Sequence, residues 1–373
     1  MRLIIDSHLD LAWNALGWKR DLTLPLAAMN QSEAAWQDHV ARGRATVSLP
    51  EMRRGRVAVA LGTLMSRWAP VDDKLPGVIA WLNHRTQGQA YATARGQLAY
   101  YEALAAEGEV AILQTSDQLR AHWQSWTAAA PNTDLPVGLI VAMEGCDAIV
   151  DPSQAAAWFD AGLRVASLVH YGHSAYAAGT GEEGPLTPRG RAMLKAFEDT
   201  GIVLDVTHLC DTSFAEAFDC YGGPLLASHN NCRALVPGQR QFSDEQILQI
   251  VRRDGIVGVA CDAWMLCPDW KTGQTPRHVV AISALADHVD HICQLAGDCE
   301  HVALGSDLDG GFGTEQCPLG LDSIVDLQQL APILADRGYT DEQIDQVFWG
   351  QWLRFFTAHL PSRDEVSTLP CSV

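Results

Sequence analysis

Along the chain, short runs of Val, Ile and Leu are separated by longer stretches whose apolar residues recur at helical spacing. The runs are nearly continuous instead of alternating with polar residues, the pattern of parallel strands covered on both faces by helices. Eight of them predict strands, at residues 3–9, 56–65, 137–144, 163–170, 202–208, 224–229, 256–261 and 302–307. A ninth run, Val110 to Gln114, is ambiguous. Helix starts are legible at Thr187-Pro188 ahead of Arg189 to Asp199, and at Ser243-Asp244-Glu245 ahead of Gln246 to Arg253; Gly201 and Gly255 read as the stops. Eight βα units predict a (β/α)8 TIM-type barrel, an architecture that needs about 250 residues. It is expected as a single domain over residues 1–373, with the surplus length inserted at 12–50, 66–136 and 262–285. A doubly wound sheet is disfavoured because no Gly-x-Gly-x-x-Gly follows the first strand.

Composition narrows the class of partner. With 47% apolar and 19% charged residues, the 373-residue chain is globular with a large core. Its 26 basic residues against 45 acidic ones leave a net charge of −19. A field of that sign repels phosphate backbones and anionic lipid, so neither nucleic acid nor membrane is an expected partner. No run approaches the 18 or so apolar residues of a membrane span, and polar groups follow Met1 too early for a signal-peptide core. The ten cysteines form no Cys-x-x-Cys pair and read as buried free thiols of a reducing compartment, with the cytoplasm as the expected location.

The chemistry sits at the predicted strand ends. The first strand closes Asp6-Ser7-His8-Leu9-Asp10, and strand alternation puts His8 and Asp10 on one face as a chelating pair. The others close Met143-Glu144-Gly145, Val169-His170-Tyr171, Val206-Thr207-His208, Ser228-His229-Asn230 and Gly305-Ser306-Asp307. In a barrel all of these fall on the C-terminal rim, where active sites of this fold lie. A lone histidine at a strand end is ordinarily a satisfied hydrogen-bonding residue; so many His, Glu and Asp on one rim point to a metal site. Imidazole and carboxylate suit a borderline cation such as Zn²⁺ at about 2.0–2.2 Å. Glu144, with two oxygens, can bridge one cation held with His8 and Asp10 to another held with His208 and His229, the ions about 3.5–4 Å apart. His288 and His291, with Asp287 and Asp290, mimic a second metal site at helical spacing but read as a solvated helix face. Trp264 and Trp270 follow the seventh strand and are candidates to wall the pocket.

These motifs, in order, resemble the renal (membrane) dipeptidase family of the amidohydrolase superfamily. The similarity also takes in Gly184-Pro185-Leu186-Thr187-Pro188-Arg189-Gly190, Ala227 to Asn231, Arg240 with Asp244 behind it, and Gly305 to Gly310. The resemblance implies a barrel with two Zn²⁺ per chain that hydrolyses dipeptides, often with a D-residue or glycine at the C-terminal position, through a hydroxide bridging the metals. It implies His8, Asp10, Glu144, His208 and His229 as metal ligands with Glu144 as the bridge. By the same token His170 contacts the substrate carbonyl, Arg240 binds the terminal carboxylate and Asp307 is the acid/base. Relatives tend to be homodimers, which is analogy alone. The chain departs from the family pattern at Ser7 and Leu9, at Tyr171-Gly172-His173, which bears on substrate choice, and at Gly350-Gln351-Trp352. Without the resemblance, Arg240 reads as a loop arginine paired with Asp244, and His173 as structural. Two alternatives stand: an amidohydrolase acting on another small amide or ester, such as an N-acyl-D-amino acid, a lactone or a peptidoglycan-derived dipeptide, and a metal-binding barrel without catalysis. Asp307 speaks against the latter, since an ionisable group beside two cations with no ligand duty is costly to keep.

Overall fold

All eight apolar runs become parallel strands in the computed structural model, which describes residues 1–69, 83–130 and 133–363. They are β1 (Ile4–Leu9), β2 (Val57–Met65), β3 (Val137–Glu144), β4 (Leu163–Ser167), β5 (Val203–Asp205), β6 (Leu225–Leu226), β7 (Val257–Val259) and β8 (Val302–Leu304). Strands β1 to β6 pair in chain order, and β7 pairs with β8. An isolated bridge between Ala227 and Val257 joins β6 to β7. At the seam between β8 and β1, side chains tie the strands: the Asp6 carboxylate accepts from Ser306 N at 2.9 Å and from Ser306 Oγ at 2.5 Å, and Ser7 Oγ, which donates to the Ser228 carbonyl, packs 3.1 Å from the Leu304 carbonyl. The result is the (β/α)8 barrel that the periodicity predicts. The ambiguous ninth run forms a short strand, Val110–Ile112, on the edge of β3 that β4 occupies farther along.

Inside the barrel, Ile5, Val59, Ile140, Val165, Val203 and Leu226 pack with Trp352, Phe355 and Phe356 of the helix Gln351–His359. Leu3 and Leu135, which precede β1 and β3, pack against the same cluster, so this plug fills the N-terminal mouth. Trp352, at the third of the departures from the family pattern, anchors it by donating Nε1–H to the Leu304 carbonyl at 2.8 Å. The C-terminal mouth is left for chemistry.

The predicted caps form: Thr187 accepts from Gly190 N ahead of the helix Pro188–Thr200, which stops at Gly201 with φ 81°. Ser243 caps Asp244–Arg252 in a reciprocal box with Gln246. Gly255 is not that helix's stop. Asp254 takes the left-handed turn at φ 53°, and Gly255 is required instead because a Cβ there would lie 2.9 Å from the Leu225 carbonyl. Of the predicted insertion 66–136, residues 70–82 and 131–132 lie outside the described residues. The nine described cysteines are free; five are buried as expected, but Cys267, Cys293 and Cys299 are half-buried and Cys220 is exposed. Among the described residues no helix is long and apolar enough to cross a membrane.

Candidate metal centre

Five of the eight strands stop earlier than their apolar runs, and the stopping points share a register. His170, His208, His229 and Asp307 each lie three residues beyond the last ladder residue of β4, β5, β6 and β8. Buried carboxylates form the turns: Asp205 Oδ1 accepts from Thr207 N and from Ser228 N, both at 3.0 Å, and Asp6 Oδ1 accepts from His8 N at 3.2 Å and Ser306 N. His208 (φ 69°) and Asp307 (φ 56°) then adopt left-handed backbone that non-glycine residues seldom take, a strain that clusters at functional sites. Gly310 lets the Asp307 turn close, since a Cβ there would stand 1.9 Å from Asp307 Oδ1.

These turns converge on Glu144, the last residue of β3. Its Oε2 is 3.4 Å from His8 Nε2, while its Oε1 is 3.1 Å from His208 Nε2 and 3.3 Å from His229 Nε2. The two imidazole nitrogens are 3.1 Å apart, and Asp10 Oδ1 is 3.8 Å from His8 Nε2. Ligands about 2.0–2.1 Å from a tetrahedral cation are separated by roughly 3.3–3.4 Å, so Glu144 with His208 and His229, and Glu144 with His8, have coordinating spacing, while Asp10 stands somewhat wider from His8. His8 Nε2 and Glu144 Oε1 are buried without a hydrogen-bond partner, as befits lone pairs meant for a cation. Three overlapping groups can hold an ion: His8 with Glu144 and His229, Glu144 with His170 and His208, and His8 with Asp10 and Asp307.

The electrostatics agree. Burial opposes charge on His8, yet Glu144, Asp10 and Asp307 push its pKa up to about 10, which shows how strongly three carboxyl groups favour positive charge at this point. Burial, reinforced by Glu144, raises Asp10 to about 6 and lifts Asp307 well above the carboxylate range. Burial also holds His208 and His229 well below the usual imidazole range, aided by Arg240 near His208 and His8 near His229, so both rings are neutral and able to ligate. His170 is pushed down to about 3, first by burial and then by Arg67 and Arg240. Hydroxyl groups help to orient the cluster: Thr63 donates to Asp10 Oδ1, the oxygen that also faces His8, and Thr180 Oγ1 is 2.9 Å from His208 Nδ1, on the far side of that ring from Glu144.

A cavity of about 340 Å³ opens above these groups, walled by Trp13, Met65, Tyr171, Trp264 and Phe312. Arg240 lines it and is not paired with Asp244, which accepts from His291 at 2.8 Å. Its guanidinium is held instead by Asn230 Oδ1 and, at 2.8 Å, by the His229 carbonyl. Trp264 is in the wall; Trp270 is not. His173 stands outside the cavity, 4.0 Å from Glu182 and largely exposed. The helix carrying His288 and His291 holds no metal cluster among the described residues. Its face is not simply solvated either, because His288 is buried and accepts from Cys232 N at 3.1 Å, while Asp287 and Asp290 pair with Arg337. Of the polar cavity residues nearest the cluster, Tyr171 is read from the sequence only as part of a departure from the family pattern, and Asp262 is not read at all. The Tyr171 ring packs 4.7 Å from His170 and 5.2 Å from His208. Asp262, its pKa pushed up to about 7 by burial, accepts from Gln316 Nε2 at 2.9 Å. The register holds the missed signal, for Asp262 also lies three residues beyond its strand, β7.

Fold and site together define a (β/α)8 barrel protein with a buried His, Glu and Asp cluster able to hold a metal ion at its C-terminal mouth. A family model described as membrane dipeptidase, peptidase family M19, matches residues 2–365, and the chain belongs to that family. Dipeptidase aclJ of Aspergillus oryzae is 29% identical over 219 residues, 57% of this chain and 49% of that protein. A protein from the pqqA 5′ region of Klebsiella pneumoniae is 30% identical over 178 residues, 47% of this chain and 62% of that one. The chain spans about half the length of the curated relatives it matches. Among solved structures, a Rhodobacter sphaeroides metallopeptidase liganded with a phosphinate mimic of L-Ala-D-Ala shares the fold at a TM-score of 0.74 and 20% identity, covering 96% of this chain and 99% of that one. The probable dipeptidase PvdM of Pseudomonas aeruginosa does so at 0.73 and 17%, covering 95% of each chain.

Proposed function

We propose that the chain is a dinuclear zinc dipeptidase, one metallohydrolase domain over residues 1–373, that cleaves dipeptides including those with a C-terminal D-residue or glycine. The observation that carries this reading is the division of Glu144: one oxygen faces His8 and the other faces His208 and His229. His8 and Asp10 would hold one Zn²⁺, His208 and His229 the other, with Glu144 shared. Two such cations, when bound, supply a nucleophile from water at neutral pH and polarise a carbonyl. The dipeptide preference is supported by the family match, and the D-residue by the ligand named for the Rhodobacter protein.

The remaining steps belong to the chain's own side chains. Asp307 faces the cavity, its side chain 15% exposed against 2–3% for His8 and Glu144. As the carboxylate that a cation beside His8 would favour, it is placed to accept the proton of the attacking water and return it to the leaving amine. His170, neutral and at the cavity wall, donates an N–H to the carbonyl oxygen as charge develops there. Arg240, braced by Asn230 and the His229 carbonyl, presents its planar fork to the substrate's terminal carboxylate and limits cleavage to very short peptides. Arg240→Ala is thus expected to lower kcat/KM for free dipeptides far more than for their C-terminal amides; equal losses on both would remove Arg240 from carboxylate binding.

The test is a hydrolysis screen of the zinc-loaded protein against L-Xaa-D-Xaa, L-Xaa-L-Xaa and L-Xaa-Gly dipeptides, with metal content measured on the same sample. Cleavage by a two-zinc protein is the expected result, and removal of zinc by a chelator should abolish it. Two metals with no dipeptide cleaved would move the reading to another small amide or ester, and no bound metal after loading would overturn it.

A further inference from the structure

We infer that the Ser228 hydroxyl is a positioning residue shared by both cation sites, fixing His8 and His229 in the one tautomer that leaves each Nε2 bare toward Glu144. The inference rests on the ligand assignment above.

Ser228 Oγ has four polar neighbours: Asp205 Oδ2 at 2.6 Å, His229 Nδ1 at 2.9 Å, His8 Nδ1 at 3.3 Å and Thr207 Oγ1 at 3.4 Å. A hydroxyl has one proton to give and two lone pairs that accept. Asp205 spends Oδ1 on the backbone N–H groups of Thr207 and Ser228, which leaves Oδ2 as the strongest acceptor within reach. The 2.6 Å separation is that of a hydroxyl donating to a carboxylate. With its proton committed to Asp205, Ser228 can only accept from the two histidines, and that requires a proton on Nδ1 of each ring. Asp205, Ser228 and both histidines are buried, so no solvent competes for these positions.

The arrangement matters because the two rings serve different halves of the centre. His8 faces Glu144 Oε2 and His229 faces Oε1, and their ring centroids are only 3.7 Å apart, which allows one oxygen to reach both. The other hydroxyl contacts to the ligands are private: Thr180 reaches His208 and Thr63 reaches Asp10. Loss of Ser228 should therefore weaken both cation sites together, whereas loss of Thr180 should weaken one.

The experiment measures zinc release from the full chain by stepwise competition with a chelator, for the unsubstituted protein, Ser228→Ala, Ser228→Thr and Thr180→Val. Outer hydrogen-bond partners of metal-bound histidines are worth about 10–100-fold in affinity. Ser228→Ala is expected to lower both zinc affinities by that factor, Ser228→Thr to restore them, and Thr180→Val to lower only one. Asp205→Asn supplies a second readout. Its amide can donate to Ser228 Oγ and so turn the hydroxyl proton toward a histidine. Nitrogen-15 spectra of the histidine rings, recorded on the zinc-loaded proteins, should then show Nδ1–H with a bare Nε2 on His8 and His229 in the unsubstituted protein and at least one ring displaced to Nε2–H in Asp205→Asn. If the unsubstituted protein binds no zinc, the ligand assignment fails. If it binds two ions, and Ser228→Ala loosens neither or only one, or either ring carries its proton on Nε2, this inference is overturned and the ligand assignment stands.

Discussion

Glu144→Gln is expected to leave fewer than two zinc ions per chain and no measurable dipeptide turnover. The carboxylate contributes a separate oxygen to each half of the centre, at 3.4 Å from His8 Nε2 and at 3.1 and 3.3 Å from His208 and His229. A glutamine keeps one carbonyl oxygen and puts an NH2 group, which has no lone pair to offer, toward the other half. The side chain is buried at the end of β3 and cannot swing the amide into water. The substitution also removes the negative charge that favours a cation beside His8. Elemental analysis of zinc after loading and desalting, with circular dichroism to establish that the barrel persists, reads the outcome. Two retained zinc ions per chain would rule out Glu144 as the bridge.

Asp307→Asn should act on the chemistry alone. Asparagine has the same shape, tolerates the left-handed backbone at φ 56° and preserves the close approach of Gly310. What it lacks is a carboxylate to carry a proton between the attacking water and the leaving amine. Metal content is expected to stay at two ions while kcat falls about 10²-fold or more, the usual scale for loss of a general acid/base. Near-normal turnover would remove Asp307 from the mechanism. A fall in metal content would instead assign it to the cation beside His8, whose Nε2 is 3.9 Å away.

The barrel was legible because a strand buried on both faces must be apolar at every position, a local property that survives in one dimension. The rim chemistry was legible for a related reason: His8, Glu144, His208, His229 and Asp307 interrupt that apolar continuity where the ladder ends, and polar ligands are tolerated only at such a mouth. Arg240 was harder. Its nearest acid in sequence, Asp244, turned to His291 instead, because the helix beginning at Asp244 faces the helix carrying His291. Asp262 was missed since its apolar run ends in Ala260-Cys261, and nothing local separates a rim carboxylate from a helix cap; it is both.

The sequence by itself determined the eight barrel strands, the starts of two helices and which residues stand at the C-terminal ends of the strands, since apolar period, caps and breakers act over a few residues. Only the tertiary structure decided which oxygen of Glu144 meets which imidazole, that Ser228 reaches two rings 220 positions and one position away along the chain, and that side chains close the seam between β8 and β1. Such contacts depend on the stagger and closure of the barrel, and these are set by packing between strands far apart in sequence.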